Sequence, residues 1–346
     1  LNTHSSRDNT IDILRGIAIC TMILSNAAGE FLVAPHPFWL RILGSLAAPL
    51  FVGLAGYSVG QAILVDKKSP HSFFLRGLKL ILVGAMIDTL IWVSFPFVGM
   101  DVLYLIGLST ILGSYILQFP KKVVFFFIIC MFSFNYYIRT IVHYSDPISI
   151  HLSSNLIQDI SSLSPYTIFL SWTLNGWFPI VPWVNIFLLG ALSIFVRPYF
   201  ANWDFSRVIK QAPWFIISLV LGVYLWPLET KLEVRSGYTE LFYPPTISYY
   251  LVYLAFIFFM YALVEKFSRL RFLRFFQILG MRSLFNYVLH FICIAIVRFI
   301  LGENFKFEDF SFASVPSGIL LVCFTFSWIL LYQKEQKKKQ KTSIIL

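Results

Sequence analysis

Asn26 and His36 flank the segment SNAAGEFLVAPHPFW, residues 25–39, where a long apolar run gives out. A neutral imidazole is well suited to accept a proton near pH 7. An amide N–H can donate to an oxygen on which negative charge develops. Together the two side chains suit acyl transfer to an amine or a hydroxyl. A continuous helix would carry them about 15 Å apart. Gly29, Pro35 and Pro37 instead allow the chain to bend at the membrane surface, which would let His36 fold back over Asn26. The same residues also suit a plain interfacial turn with a structural histidine.

A second constellation lies in GMRSLFNYVLHF, where Arg282, Asn286 and His290 recur every four residues. Four residues advance about 400° around a helix, so the three form one slowly drifting polar stripe. Such a stripe either lines a water-filled path or ties neighbouring helices together through hydrogen bonds. Ionisable groups within apolar runs are expensive and are functional candidates by default. Asp12 and Arg15 are spaced to pair on one helix face. Asp88 and Asp101 lie toward the outer side of their runs, where either would line a cavity. Cys20, Cys130, Cys293 and Cys323 fall inside apolar runs without a CxxC or Cys/His set, so no metal site or disulfide is expected.

The elements that must position these groups are written in the composition. The chain has 346 residues, 58% hydrophobic and 13% charged, with mean hydropathy +0.75. Soluble domains carry about 25% charged residues, so lipid is the expected solvent. A spanning helix needs about 20 apolar residues. The qualifying runs are 11–29, 40–65, 73–97, 99–118, 123–142, 167–196, 213–227, 246–265, 277–301 and 315–333. The expected fold is an all-α polytopic transmembrane bundle of about ten spans. Pro179 and Pro182 interrupt the sixth run. The first run carries Asp12, Arg15 and Asn26, which a cleaved signal segment rarely does, and is read as a retained helix. Residues 1–333 then form one transmembrane domain and 334–346 a basic cytoplasmic tail.

With both termini inside, most of the Lys and Arg residues fall on the cytoplasmic side. Arg41, Arg139, Lys231, Arg235, Arg298 and Lys306 are left on the outer side. That asymmetry is the positive-inside pattern. The net charge of +10 is accounted for by topology and anionic membrane lipid, without a nucleic-acid partner. Two longer outer loops, 143–166 and 228–245, either cap an outward-facing cavity or serve as solvated connections.

Five stretches occur in order: IDILRGIAICTMILSN, APLFVGLAGYS, GWFPIVPWVNIFLLGAL, YPPTISYYLVYLAFIFF and LGMRSLFNYVLH. Together they resemble the membrane family that includes heparan-α-glucosaminide N-acetyltransferase and its bacterial relatives. More distantly they resemble membrane acyltransferases that decorate cell-envelope glycans. The resemblance runs from about residue 7 to residue 295. It implies an integral protein, here of a bacterial inner membrane. Acetyl-CoA would supply the acetyl group from the cytoplasmic side, and a glycan or amino sugar would receive it on the far side. In that family an Asn near the outer end of the first helix and a His in the following loop serve acetyl transfer, and these positions match Asn26 and His36. The family's closing histidine matches His290, a site-lining position. One departure stands out: Ser45 occupies the place before Pro49 where the family commonly has an Asp.

On this reading His36 is the general base and Asn26 holds the thioester carbonyl. Arg15, Arg76, Lys79 and Arg282 bind the phosphates of acetyl-CoA, while Asn286, His290, Asp88 and Asp101 line the substrate path. Two other classes stay open. The Pro179/Pro182 break also suits a transporter of envelope precursors. Ser45 also suits a non-catalytic subunit that reuses the fold to bind partner helices, as a homo-oligomer or in a larger membrane complex.

Overall fold

The computed structural model describes residues 8–141, 148–152, 161, 164–197, 205–229, 245–302 and 304–345. Apart from two isolated β-bridges, the regular structure within them is helical. Helix α1 spans Asn9–Phe31, α2 Phe38–Gly60, α3 His71–Leu90, α4 Val102–Ile116 and α5 Lys121–Ile141. These are followed by α6 (Pro165–Leu170), α7 (Ile180–Leu192), α8 (Phe205–Glu229) and α9 (Ile247–Phe267). The chain closes with α10 (Leu273–Met281), α11 (Ser283–Leu301) and α12 (Ser314–Ile345).

Local chemistry sets the boundaries. The Asp8 carboxylate accepts from the backbone N–H groups of Thr10 and Ile11 and caps α1. Asp101 caps α4 in the same way, accepting from Val102 N–H at 2.6 Å. The run 167–196 breaks as expected: Gly176 and Pro179 hold extended backbone between α6 and α7, and Val181 departs from helical backbone within the first turn of α7. The stretch expected as a tail continues α12 through Lys334 and Lys337 to Ile345. The outer-loop segments 153–160 and 230–244, with Lys231 and Arg235, lie outside the described residues.

Among the described residues, seven helical segments are long and apolar enough to cross a membrane: Asn9–Phe31, Phe38–Val65, Lys121–Ile138, Pro165–Phe195, Ile247–Phe267, Ser283–Leu301 and Phe310–Lys337. The protein is therefore an integral membrane protein. The other three expected spans form helices of a different kind. The apolar stretches Val102–Ile116 and Ala212–Leu225 are shorter, and α3 carries Arg76, Lys79 and Asp88 among its 20 residues. The α5 helix turns Phe125, Phe126, Ile129, Tyr136 and Tyr137 outward, as a lipid-facing helix does.

The described chain divides into two compact units. Of the described residues, those within 8–50 and 255–345 form the first and those within 51–229 and 245–254 form the second. In the second unit, α3 and α4 approach at Gly77 and Gly107, where a Cβ on either would meet the other's carbonyl. Close approach through small residues is how helices associate where lipid supplies no hydrophobic drive between them. Asn185 of α7 donates to the Ile128 carbonyl of α5 at 3.2 Å.

In the first unit, α1 and α10 make the closest pairing. A Cβ on Gly16 would strike the Phe276 carbonyl, and one on Gly280 would strike that of Asp12. Both obstacles are backbone, which cannot swing aside. Gly280→Val is therefore expected to cost about 1–3 kcal/mol or more, read as a lower thermal midpoint in detergent. Gly318→Ala is the control, because a Cβ there meets nothing. Equal midpoints for the two variants would contradict the close approach.

Candidate functional site in the first unit

Helix α1 ends at Phe31, and Leu32 takes up extended backbone (φ −109°, ψ 137°). Pro35 and Pro37 lack N–H groups and cannot prolong the helix. The segment is instead paired with the connection between α11 and α12. Phe307 N–H donates to the Phe31 carbonyl at 2.7 Å, and Val33 N–H donates to the Phe307 carbonyl at 3.0 Å. Lys306 Nζ donates to the Gly29 carbonyl at 3.5 Å. Trp39 at the start of α2 stacks on Phe310, with centroids 6.0 Å apart and planes inclined by 13°.

His36 lies within this clamp, only 7% exposed. Its Nε2 is 3.2 Å from the Leu32 carbonyl oxygen. A carbonyl can only accept, so Nε2 carries the hydrogen and Nδ1 is left with its lone pair. That Nδ1 is buried and has no partner. Burial holds the imidazole below its ordinary pKa of 6.5. The Leu32 bond opposes the shift, and the positive charges of Lys306 and Arg41 add to it. At neutral pH the ring is therefore unprotonated, the state a base requires.

Asn26 is half-buried and turned elsewhere. Its Nδ2 lies 3.0 Å from Nε2 of His290. The His290 Nδ1–H donates to the Asn286 carbonyl at 3.3 Å, which leaves Nε2 as the acceptor of the Asn26 amide. Asn286 in turn donates from Nδ2 to the Leu279 carbonyl at 2.8 Å and accepts from Ser327 at 2.9 Å. One hydrogen-bonded chain thus links α1, α10, α11 and α12 and fixes the Asn26 amide through His290. The Asn26 amide has two N–H groups, one of which bonds His290.

Two geometric expectations bear on this site. His36 and Asn26 do not hydrogen-bond one another: the His36 ring is bonded to the Leu32 carbonyl and the Asn26 amide to His290. Arg282, Asn286 and His290 do not form one stripe on one helix, because the chain breaks at Arg282 (φ −124°, ψ 34°) between α10 and α11. Asn286 and His290 are both fully buried and bonded, so they tie helices together and do not line an open path. In a background lacking the native cysteines, Asn286→Cys and His290→Cys are expected to resist a small polar thiol reagent. Rapid labelling at either position would restore the water-filled path.

The candidate cations differ in environment. Arg15 pairs with Asp12 at 3.1 Å. Arg282 buries its Nε–H with no acceptor, beside the first turns of α1, since Gly280 lies against Asp12. Arg76 and Lys79 belong to the second unit and are exposed on α3, with the Arg76 guanidinium 5.5 Å from the Phe73 ring centroid. Asp88 and Asp101 also belong to the second unit. Asp88 accepts from the Tyr104 hydroxyl at 2.5 Å, and Tyr104 sits between Phe97 and Trp172 at centroid distances of 5.6 and 5.5 Å. Asp101 serves as the α4 cap. Tyr104, Ser327, Phe307 and Arg41 carry no spacing signal that marks them in advance, since each acts through a partner on another element.

Long apolar helices around a buried amide–imidazole chain, with a second buried imidazole at a helix end, define an integral membrane protein with a built polar site. The model of one family, heparan-alpha-glucosaminide N-acetyltransferase, catalytic, matches residues 7–225. The chain belongs to that family and is a membrane acyltransferase-family domain. The matched segment contains Asn26 and His36, whereas Arg282, Asn286 and His290 lie beyond it. A comparison with curated proteins found no match.

Proposed function

We propose that the protein moves an acetyl group from acetyl-CoA to the amine or hydroxyl of a sugar, with His36 as general base and Asn26 as carbonyl-holding donor. One observation carries this reading: a buried, neutral imidazole whose Nδ1 has no hydrogen-bond partner, one loop beyond the half-buried Asn26 amide. Asn26 lies in the last turns of α1 and Leu32 is its C-cap, six residues on, a rise of about 9 Å along the helix axis. A carbonyl oxygen at hydrogen-bond distance from Asn26, an attack distance, and a hydrogen bond to Nδ1 each need about 3 Å. A rise of that order along the helix suits a thioester carbonyl held by Asn26 and an attacking nucleophile held by His36, each within hydrogen-bond reach of its own residue.

Acetyl-CoA supplies an activated acetyl thioester. For its phosphates the fit is best at Arg282, whose buried Nε–H lacks an acceptor; the charge of Arg15 is largely offset by Asp12. Arg76 and Lys79 are further proposed phosphate contacts. Asp88 and Asp101, with Tyr104 and its aromatic neighbours, suit a sugar-lining role. Asp12 and Leu32 lie about 30 Å apart along α1, about the thickness of a bilayer core. That spacing supports a donor bound at the cytoplasmic end and an acceptor at the outer end, with both termini inside. Anionic lipid at the basic cytoplasmic surface and a self-associated or larger assembly belong to the same proposal.

The test is to incubate the purified full chain with labelled acetyl-CoA and a broad panel of amino sugars and glycans. Labelled product above the His36→Ala background is expected. No transfer above that background would overturn the reading. A non-catalytic role is favoured by one observation, that the Ser45 hydroxyl donates to the Arg41 carbonyl at 2.7 Å and gives His36 no charged partner.

A further inference from the structure

The loop that carries His36 inverts the usual order of a water-exposed turn. From Val33 to Trp39, His36 is the only titratable side chain and the only buried one. Val33, Ala34, Pro35, Pro37, Phe38 and Trp39 are all exposed, and all are apolar or aromatic. Phe38 leaves 67% of its surface open, and the exposed face continues onto α2 at Ile42. Connections in water are built from polar residues, and a contiguous exposed apolar patch marks a surface that meets something other than water. The adjoining 302–309 connection is mixed, with Phe305 and Phe307 set among Lys306, Glu308 and Asp309.

The depth of this loop follows from the spans it joins. Four segments long and apolar enough to cross a membrane end or begin beside it: Asn9–Phe31, Phe38–Val65, Ser283–Leu301 and Phe310–Lys337. The bonds from Phe307 to Phe31 and Val33 hold the second connection against the last residue of α1. Trp39 and Phe310, stacked on one another, are the kind of residue that settles at headgroup level. His36 therefore sits where hydrocarbon meets headgroups, beneath a loop whose outer face suits a hydrocarbon chain. A sugar free in water offers nothing to that face. A sugar tethered in the membrane is confined to the depth of His36, which raises its effective concentration there.

We propose that the acceptor is a glycolipid, a sugar joined to a hydrocarbon anchor, whose chain lies along the apolar face of the 33–39 loop while its sugar reaches His36. The identity of this ligand as the acceptor rests on the acetyl-transfer reading above. The sugar's nitrogen or oxygen bonds to the acetyl carbon as its proton passes to His36 Nδ1. The carbon–sulfur bond breaks, and the thiolate of coenzyme A leaves and takes up a proton. The loop thus has two faces with two tasks: His36 inward for the chemistry, Val33 and Phe38 outward for the anchor.

The experiment reconstitutes the purified full chain in phosphatidylcholine vesicles and compares hexadecyl glucosaminide with methyl glucosaminide, two acceptors that share one amine- and hydroxyl-bearing headgroup. With labelled acetyl-CoA, kcat/KM for the hexadecyl sugar is expected to exceed that for the methyl sugar by about tenfold or more. Partition into the bilayer favours any anchored sugar, so the loop is tested by substitution. Val33→Ser combined with Phe38→Ser should lower the ratio by about threefold or more. Both side chains are exposed, and Phe38→Ser alone keeps the test available should the pair fail to fold. A second measurement needs no transfer: hexadecyl glucosaminide with a diazirine in its chain should label the 33–42 segment. Unlabelled hexadecyl glucosaminide should displace that label, whereas hexadecanol and methyl glucosaminide should not. Equal kcat/KM for the two sugars, a ratio unchanged in the variants that fold, or displacement by hexadecanol as readily as by the glycolipid would overturn the proposal. Displaceable labelling without acetyl transfer would retain the glycolipid site and sink the transferase reading. Transfer to methyl glucosaminide without displaceable labelling would do the reverse.

Discussion

His36→Ala is expected to lower turnover by about 10² or more while acetyl-CoA still binds. The substitution removes the only ring nitrogen in the α1–α2 loop that has a lone pair and no protein partner. Donor affinity should be little changed, because the proposed phosphate contact Arg282 lies beside the opposite end of α1. The measurement is steady-state transfer from labelled acetyl-CoA alongside direct donor binding. Wild-type turnover in His36→Ala would reduce the clamp between α1 and the Phe307 segment to architecture. A parallel loss of donor binding and turnover would point to misfolding, which His36→Gln, retaining a side-chain donor for the Leu32 carbonyl, should separate from loss of the base.

Asn26→Ala is the second large effect, with turnover falling about 10²-fold and binding only modestly weakened. The amide N–H is worth most when charge builds on the thioester oxygen, so its loss raises the barrier more than it weakens the ground state. His290 offers an internal check, because it touches the Asn26 amide and acts by positioning it. His290→Gln can still accept from Asn26 and should retain more activity than His290→Ala, with donor binding similar in both. Because His290 also closes the chain through Asn286 to Ser327, His290→Ala should lower the thermal midpoint as well. Equal kinetics in the two variants would remove His290 from the catalytic account.

The helical class, the membrane setting and the Pro179/Pro182 interruption are legible in the chain because each rests on a local signal. Apolar length marks spans, and proline marks a break wherever it falls. The break at Arg282 has no such mark: GMRSL contains no proline. Its backbone departs from helix beside Gly280, whose close contact with α1 is set by a partner far away in the sequence. The Asn26–His290 bond joins residues 264 apart, and no spacing rule reaches that far. Asn26 and His36 are both recognisable as polar groups around one helix end. Their separate hydrogen-bond partners are not, because the Leu32 carbonyl takes the His36 ring once the loop is paired with Phe307. The same pairing brings Lys306 close enough to act on His36, which turns a topological cation into part of a site. The three shorter or more charged helices look like spans by composition. Asp101 caps and shortens one of them, and Arg76, Lys79 and Asp88 are spread along another.

The most direct test of His36 as the base is the pH dependence of acetyl-transfer turnover in wild type and His36→Ala. His36 serves only when unprotonated, and burial with the nearby Lys306 and Arg41 charges holds its pKa below 6.5. Wild-type turnover should therefore be level with respect to this group at neutral pH and fall through one ionisation below 6.5 as the solution is made acidic. An amine acceptor adds its own limb, which both proteins share. In His36→Ala the acidic limb should vanish and leave a low, pH-independent residual rate in that range. Turnover in His36→Ala that matches wild type and keeps the same acidic limb would contradict the account.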